Sequence, residues 1–153
     1  MKHIIVCVAG IVLLGMGGCN QEPSAEADTA AVKNVHEAFV DAYTSMDFEK
    51  FMSFIAEDAV WLPPNRLPLA GKEAIRAWYD FTVNDSVEAS VQLDEIQVCG
   101  DWAFRLATWN ITVTPKGSQE KNTFQNKSIQ IFRRQPDGSW KVSHSIWNSN
   151  LPL

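Results

Sequence analysis

Apolar residues follow two periodicities along this chain, and the change from one to the other divides it. Val32, Val35, Phe39, Tyr43 and Met46 recur at helical spacing. Asp28 or Thr29 is positioned to cap that helix, and Asp47 to cap a second. Phe48, Phe51, Met52 and Ile55 continue the helical period after Asp47. A short strand over Ala59–Leu62 stops at Pro63-Pro64. A third helix opens after Gly71 and runs from Lys72 to about Val83, with Ile75, Trp78, Tyr79 and Thr82 on one face; Asn84-Asp85 ends it.

From there the period becomes two. Val87, Ala89, Val91 and Leu93 alternate, and Ile96 and Val98 continue on the opposite parity, which predicts a bulge near Asp94-Glu95. Gly100-Asp101 makes a turn. The segment Trp102–Thr114 is apolar on much of both faces, as for a strand that is central or covered on both sides. Pro115–Lys121 is a polar loop, Thr123–Arg134 the next strand, Pro136-Asp137-Gly138 a turn, and Trp140–Asn148 the last strand. Helices followed by long antiparallel strands place the chain in the α+β class.

The first segment stands apart from this pattern. Lys2 precedes an apolar run, Ile4–Leu14, of signal-peptide length. The run ends in Gly15-Met16-Gly17-Gly18-Cys19, which resembles a bacterial lipoprotein signal: small residues before a cysteine that is lipidated and becomes the new N-terminus. The expectation is a signal peptide over 1–18, a flexible polar tether over 19–28 and one domain over 29–150. Lipid, palmitate included, on Cys19 then anchors the protein in a bacterial cell envelope, facing the periplasm or another extracytoplasmic space. With Cys7 removed and Cys19 lipidated, Cys99 is left alone, so no internal disulfide is expected. The length of 153 residues and 46% hydrophobic content fit one globular domain, and a net charge of −5 without a basic stripe argues against a nucleic-acid partner. No cysteine–histidine cluster has metal-ligand spacing, and neither metal nor cofactor is expected.

The element order resembles the nuclear transport factor 2-like superfamily, in its SnoaL-like and ketosteroid-isomerase-like branches. The residues that carry the resemblance are Ser45-Met46-Asp47-Phe48-Glu49, Ala56-Glu57-Asp58-Ala59-Val60, Leu69-Ala70-Gly71-Lys72-Glu73-Ala74-Ile75 and Asp137-Gly138-Ser139-Trp140-Lys141-Val142. It implies a cone-shaped, cystatin-like fold, a curved antiparallel sheet wrapped around N-terminal helices, and a homodimer through the outer sheet face. Isomerases of this kind use a tyrosine on the first helix, an aspartate base after the first short strand and a second acid on a late strand. The resemblance puts Phe39, Pro63 and Gln130 at those positions. Phenylalanine cannot donate to an oxyanion, proline cannot take a proton, and glutamine is no acid, so that isomerase route is closed.

The same alignment sets strand parity and a ligand pocket: Phe39, Trp78, Tyr79, Phe104, Leu106, Thr108, Asn126, Ser128, Gln130, Ser145 and Trp147, with Ser143 on the same face and Arg105 and His144 turned outward. Aromatic residues and neutral hydrogen-bonding groups suit a small neutral or weakly polar ligand. Binding is the leading function. An acid–base enzyme of the SnoaL-like kind (isomerase, lyase or hydrolase) is the alternative, with His36, at the pocket mouth, or Asp41 as its proton-transfer group. An assembly module using apolar residues at 129 and 131 is the third. Glu57 and Asp58 read as solvated turn acids.

Overall fold

The computed structural model describes residues 25–79 and 85–150. The expected signal peptide, the lipidation site Cys19 and the start of the expected tether lie outside these residues, as do Thr82 and Val83.

Helix α1 (Ala25–Thr44) is already helical at Ala25, so positions 25–28, expected in the tether, are helix, and neither Asp28 nor Thr29 caps it. Its buried face runs Asp28, Val32, His36, Phe39, Ala42, at spacings of three and four. Asp28 sits on that face because Arg134 reaches it, Nη2 to Oδ2, at 2.7 Å. Arg134 also bonds Asp101 at 3.1 Å and stacks over Trp140, its guanidinium carbon 4.4 Å from the ring centre. Arg134 thus ties the helix to the sheet.

Helix α2 (Phe48–Ser53) begins at its expected cap: the Lys50 N–H donates to Asp47 Oδ1 at 3.1 Å. It ends sooner than the helical spacing through Ile55 suggests. Strand β1 (Ile55–Leu62) takes over, because sheet pairing buries Ile55 more completely than another helical turn: Val142 donates its N–H to Phe54 O at 2.8 Å, and Ile55 pairs with Val142. An irregularity between Ile55 and Val60 lets Ile55, Ala56, Ala59 and Trp61 all point inward. Glu57 and Asp58 lie on this strand, exposed, and pair with Lys72 (2.8 Å) and Arg133 (2.6 Å).

Strand β2 (Leu69–Ala70) folds back on β1, and α3 (Lys72–Tyr79) follows Gly71, whose φ of +86° favours glycine. The long strands are β3 (Ser86–Cys99), β4 (Trp102–Thr114), β5 (Asn122–Arg134) and β6 (Trp140–Ser149). They join β1 and β2 in one six-stranded sheet of order β2-β1-β6-β5-β4-β3. Among the described strands only the β1–β6 pair is parallel. The expected bulge is present: pairing slips between Leu93 and Glu95, and Val87, Ala89, Val91, Leu93, Ile96 and Val98 all face the helices through their partners on β4.

Between the helices and the sheet lies the core, with Phe39, Phe51, Trp61, Ile75, Phe132 and Val142 essentially inaccessible. Each such large apolar side chain contributes about 1.5–3 kcal/mol through burial. Across the outer sheet face, register lines up one apolar row and one that is apolar but for His144. One is Leu106, Ile129, Ile146, Leu62; the other is Phe104, Ile131, His144, Val60.

Candidate functional site

Pairing register places the inner-face residues in rows that cross the sheet. The deepest that reaches the cavity runs Ile96, Arg105, Gln130, Ser145, Trp61. The next runs Leu93, Ala107, Ser128, Trp147, and a third Val91, Trp109, Asn126, Ser149. Phe39 and Tyr43 of α1, Phe51 of α2, and Trp78 and Tyr79 of α3 close over these rows around a cavity of about 480 Å³. That is a small-molecule volume. Asp85, Pro115 and Asn122 lie at strand tips around its rim, whereas Arg105 is nine residues along β4 from Thr114, roughly 30 Å of strand.

The aromatic walls stand edge to face. Trp61 meets Tyr79 at 5.6 Å between ring centres and 90°, and Trp147 at 6.0 Å and 86°; Tyr43 meets Trp109 at 6.1 Å and 86°. Perpendicular rings hold one another in fixed orientations around the space. Burial raises the Tyr43 phenol above its usual pKa and the Tyr79 phenol well above it, so both are neutral hydroxyls across the physiological range.

Eight of the sequence-predicted pocket residues line this cavity: Phe39, Trp78, Tyr79, Asn126, Ser128, Gln130, Ser145 and Trp147. Phe104, Leu106 and Thr108 do not; their parity is the reverse of the expectation, and they lie on the outer face. Inward on β4 are Ala103, Arg105, Ala107, Trp109, Ile111 and Val113. Arg105, expected to face outward, is the residue the sequence reading missed. It is 0% exposed and lines the cavity. Ala103 and Ala107, two positions either side, leave room for its long side chain.

Arg105 Nη1 donates to Ser128 Oγ at 2.8 Å, and its guanidinium carbon lies 5.4 Å from the Trp109 ring centre. Trp109 Nε1 donates to the same Ser128 oxygen at 3.0 Å. Arg105 Nε and Nη2 are buried with no protein partner, as are Trp61 Nε1 and the acceptor Gln130 Oε1; Gln130 Nε2 reaches Ser145 Oγ at 3.4 Å. Burial lowers the Arg105 pKa to about 9, opposed by the more distant negative charge of Asp94, so the side chain is still a cation at pH 7.

His36 is buried in the helix–sheet core instead of standing at the cavity mouth, and it is not among the lining residues. Burial first, and the Arg105 charge second, lower its pKa to about 4, so the ring is neutral at pH 7. Asp41 is exposed and pairs with Lys50 at 2.9 Å. His144 is exposed on the outer face, as expected, with Nδ1 3.1 Å from Ser143 Oγ. Ser143 is buried at the irregularity between Ile131 and Phe132 and donates to Ile131 O at 3.1 Å, away from the cavity. Of the three positions aligned with isomerase acid–base groups, Phe39 and Gln130 line the cavity; Pro63 is buried beside it and Pro64 lines it. Asp85 at the rim is the single carboxylate among the described lining residues. Among the described residues no group of three or more His, Cys, Asp or Glu side chains is placed to hold a metal ion.

Solved structures with this fold are numerous. A ketosteroid isomerase-like protein from Erwinia carotovora atroseptica is 20% identical, with a TM-score of 0.73 over 82% of this chain and 98% of its own. A conserved protein from Planctomyces limnophilus is 25% identical, with a TM-score of 0.73 over 81% of this chain and 98% of its own. An NTF2-like protein with a cystatin-like fold from Novosphingobium aromaticivorans is 17% identical, with a TM-score of 0.68 over 82% of this chain and 84% of its own. No curated protein matches the chain. The family model described as the SnoaL-like domain matches residues 36–143, from the buried face of α1 to the middle of β6, and the chain belongs to that family.

Proposed function

We propose that this domain binds a small organic molecule with a largely apolar body, and that it works by holding the molecule rather than by acid–base turnover. The observation that carries the reading is the cavity of about 480 Å³, walled by Trp61, Tyr79, Trp109 and Trp147, with the one carboxylate among its described lining residues at the rim. Proton transfer from a bound carbon acid needs a base within about 3 Å of it. Neither Asp41 nor His36 lines the space where that carbon would sit. The neutral ligand anticipated from the polar wall of Asn126, Ser128, Gln130 and Ser145 fits that wall but leaves Arg105 without a role.

Native mass spectrometry of the full chain, purified from its own host, tests this reading. The expected result is a retained small molecule, and its loss in Trp147→Ala, which removes one wall of the cavity while leaving the deeper row in place. A wild-type protein that carries nothing, and that shows no tryptophan fluorescence change across a panel of apolar metabolites, overturns it.

The lipoprotein-like leader supports placement in a bacterial envelope through lipid on Cys19. Labelling with a palmitate analogue, abolished in Cys19→Ser, is the expected result. A second reading, compatible with the first, is a homodimer through the outer sheet face. Leu62 and Ile146 there are 36% and 38% exposed and continue the row of Leu106 and Ile129. Sedimentation equilibrium tests it: a dimer is expected for the wild type and a monomer for Ile129→Lys.

A further inference from the structure

Among the described residues, Arg105 is a cation buried in the site without a carboxylate in contact. It contacts the Ser128 hydroxyl and the Trp109 ring, both neutral. A buried charge left in this state costs several kcal/mol of stability. The neighbouring inner-face positions on the flanking strands are Ile96 and Gln130, neither of which neutralises it.

The two donors left over are a matched pair. Nε and Nη2 lie on one edge of the guanidinium, with parallel N–H bonds, and this edge grips both oxygens of a carboxylate. Nη1, on the other side, is the atom used on Ser128. The other unpaired polar atoms of the lining tell the same way. Among the described lining residues Trp61 Nε1 is a third unpaired donor, against one unpaired acceptor, Gln130 Oε1. A site with spare donors and one spare acceptor is matched by a guest that brings acceptors.

We propose that the ligand of this cavity is an organic carboxylate on a flat apolar body, with its carboxylate held by the Nε–Nη2 edge of Arg105 and its body between the tryptophan and tyrosine rings. The inference rests on the binding reading above and names its ligand class. The ends of the cavity are chemically unlike: Arg105 is deep, and Asp85 is at the rim. An amphipathic anion therefore enters carboxylate first, drawn inward from the rim carboxylate. In the present conformation Nε and Nη2 are buried, so engagement includes a turn of the Arg105 head toward the cavity. Bulk water is then a poor competitor for the pair, which strengthens it relative to a surface ion pair.

Isothermal titration calorimetry of the full chain with 2-naphthylacetate and with its neutral amide, 2-naphthylacetamide, tests this. The two probes share the same flat body and differ in charge. The acid is expected to bind about tenfold more tightly than the amide. Arg105→Gln is expected to weaken the acid about tenfold and the amide by less than about threefold. Equal binding of acid and amide to the wild type, or equal weakening of both in Arg105→Gln, overturns the carboxylate inference and leaves the cavity reading standing. Failure of both probes to bind the wild type at millimolar concentration overturns the cavity reading and this inference with it. The acid–amide comparison is made on the wild type itself, so it holds whether or not the variant folds.

Discussion

Replacing Arg105 by methionine separates a guanidinium kept for the fold from one kept for the site. Burial lowers the Arg105 pKa from 12.5 to about 9, so at pH 7 the side chain is charged both in the native and in the unfolded chain. The whole difference then opposes folding. At ~1.4 kcal/mol for each factor of ten in proton affinity it amounts to ~5 kcal/mol. Methionine removes that penalty and gives up two things. One is the hydrogen bond to Ser128 Oγ at 2.8 Å, worth ~1–2 kcal/mol. The other is the volume of roughly three heavy atoms, worth ~1 kcal/mol where the space adjoins an existing cavity. Ser128 is not orphaned, because it keeps the Trp109 indole as donor and Ala107 O as acceptor. The expected net effect is a gain of ~2–3 kcal/mol, in the range found when buried charges are replaced by apolar residues of similar shape.

The assay is urea unfolding at pH 7 followed by tryptophan fluorescence, with the midpoint rising at unchanged slope. The pH dependence supplies a second reading of the same quantity. A group whose native pKa is about 9 loses its proton in the native state first, so the wild-type deficit relative to Arg105→Met is full below pH 9 and narrows as pH rises above it. A variant destabilised by more than ~1 kcal/mol at pH 7, or a difference that does not move between pH 8 and 10.5, refutes the reasoning. Arg105 would then be a packing residue.

His36 gives a second window of the same sign, on the acid side. Its native pKa of about 4 lies below the ordinary 6.5, so between those values the unfolded chain binds a proton that the native one does not. Stability is full above pH 6.5 and falls as pH drops toward 4. The full difference is ~3 kcal/mol, and solvent screening reduces it to ~2 kcal/mol; urea midpoints from pH 4 to 7 check this, and His36→Leu is expected to flatten the slope. Asp28→Asn weakens the tie between α1 and Arg134, whose partners are 11% and 19% exposed as side chains. The expected loss is ~1 kcal/mol, read as a lowered thermal midpoint, with a smaller loss for Asp101→Asn because that carboxylate is 73% exposed.

Much of the fold was legible because its signals are local. Asp47 caps α2 through its own side chain, and the parity slip after Leu93 is a property of adjacent residues, so both the cap and the bulge were found. Strand β1 was read too short because Phe48, Phe51, Met52 and Ile55 satisfy a helical period equally well, and what decides against the helix is Val142, far along the chain. Asp28 was misread for the same reason. An acid near a helix start is ordinarily a cap, and only Arg134 on β5 explains one that is buried.

The parity of β4 is a different case, since the information to set it was present in the chain. Both faces of the strand carry apolar residues, so its own alternation decides nothing. The neighbouring hairpin does decide. With Val98 inward and only Gly100 and Asp101 in the turn, Cys99 must face Trp102 and Val98 must face Ala103. From Ala103 the period of two carries Arg105, Ala107 and Trp109 to the inner face and sends Phe104, Leu106 and Thr108 out. Against this stood the parity set by the family alignment, which turned Phe104, Leu106 and Thr108 inward and Arg105 out, in keeping with the average preference of arginine for water; that preference fails where a site has a use for the charge. The local register and the average preference conflicted at one residue, and register won because a single slip would have reversed the face of every residue on β4. That conflict is itself the signal. A cation forced inward by hairpin geometry, flanked by two alanines that make room for it and left without an acid in contact, is better explained by a guest than by the fold.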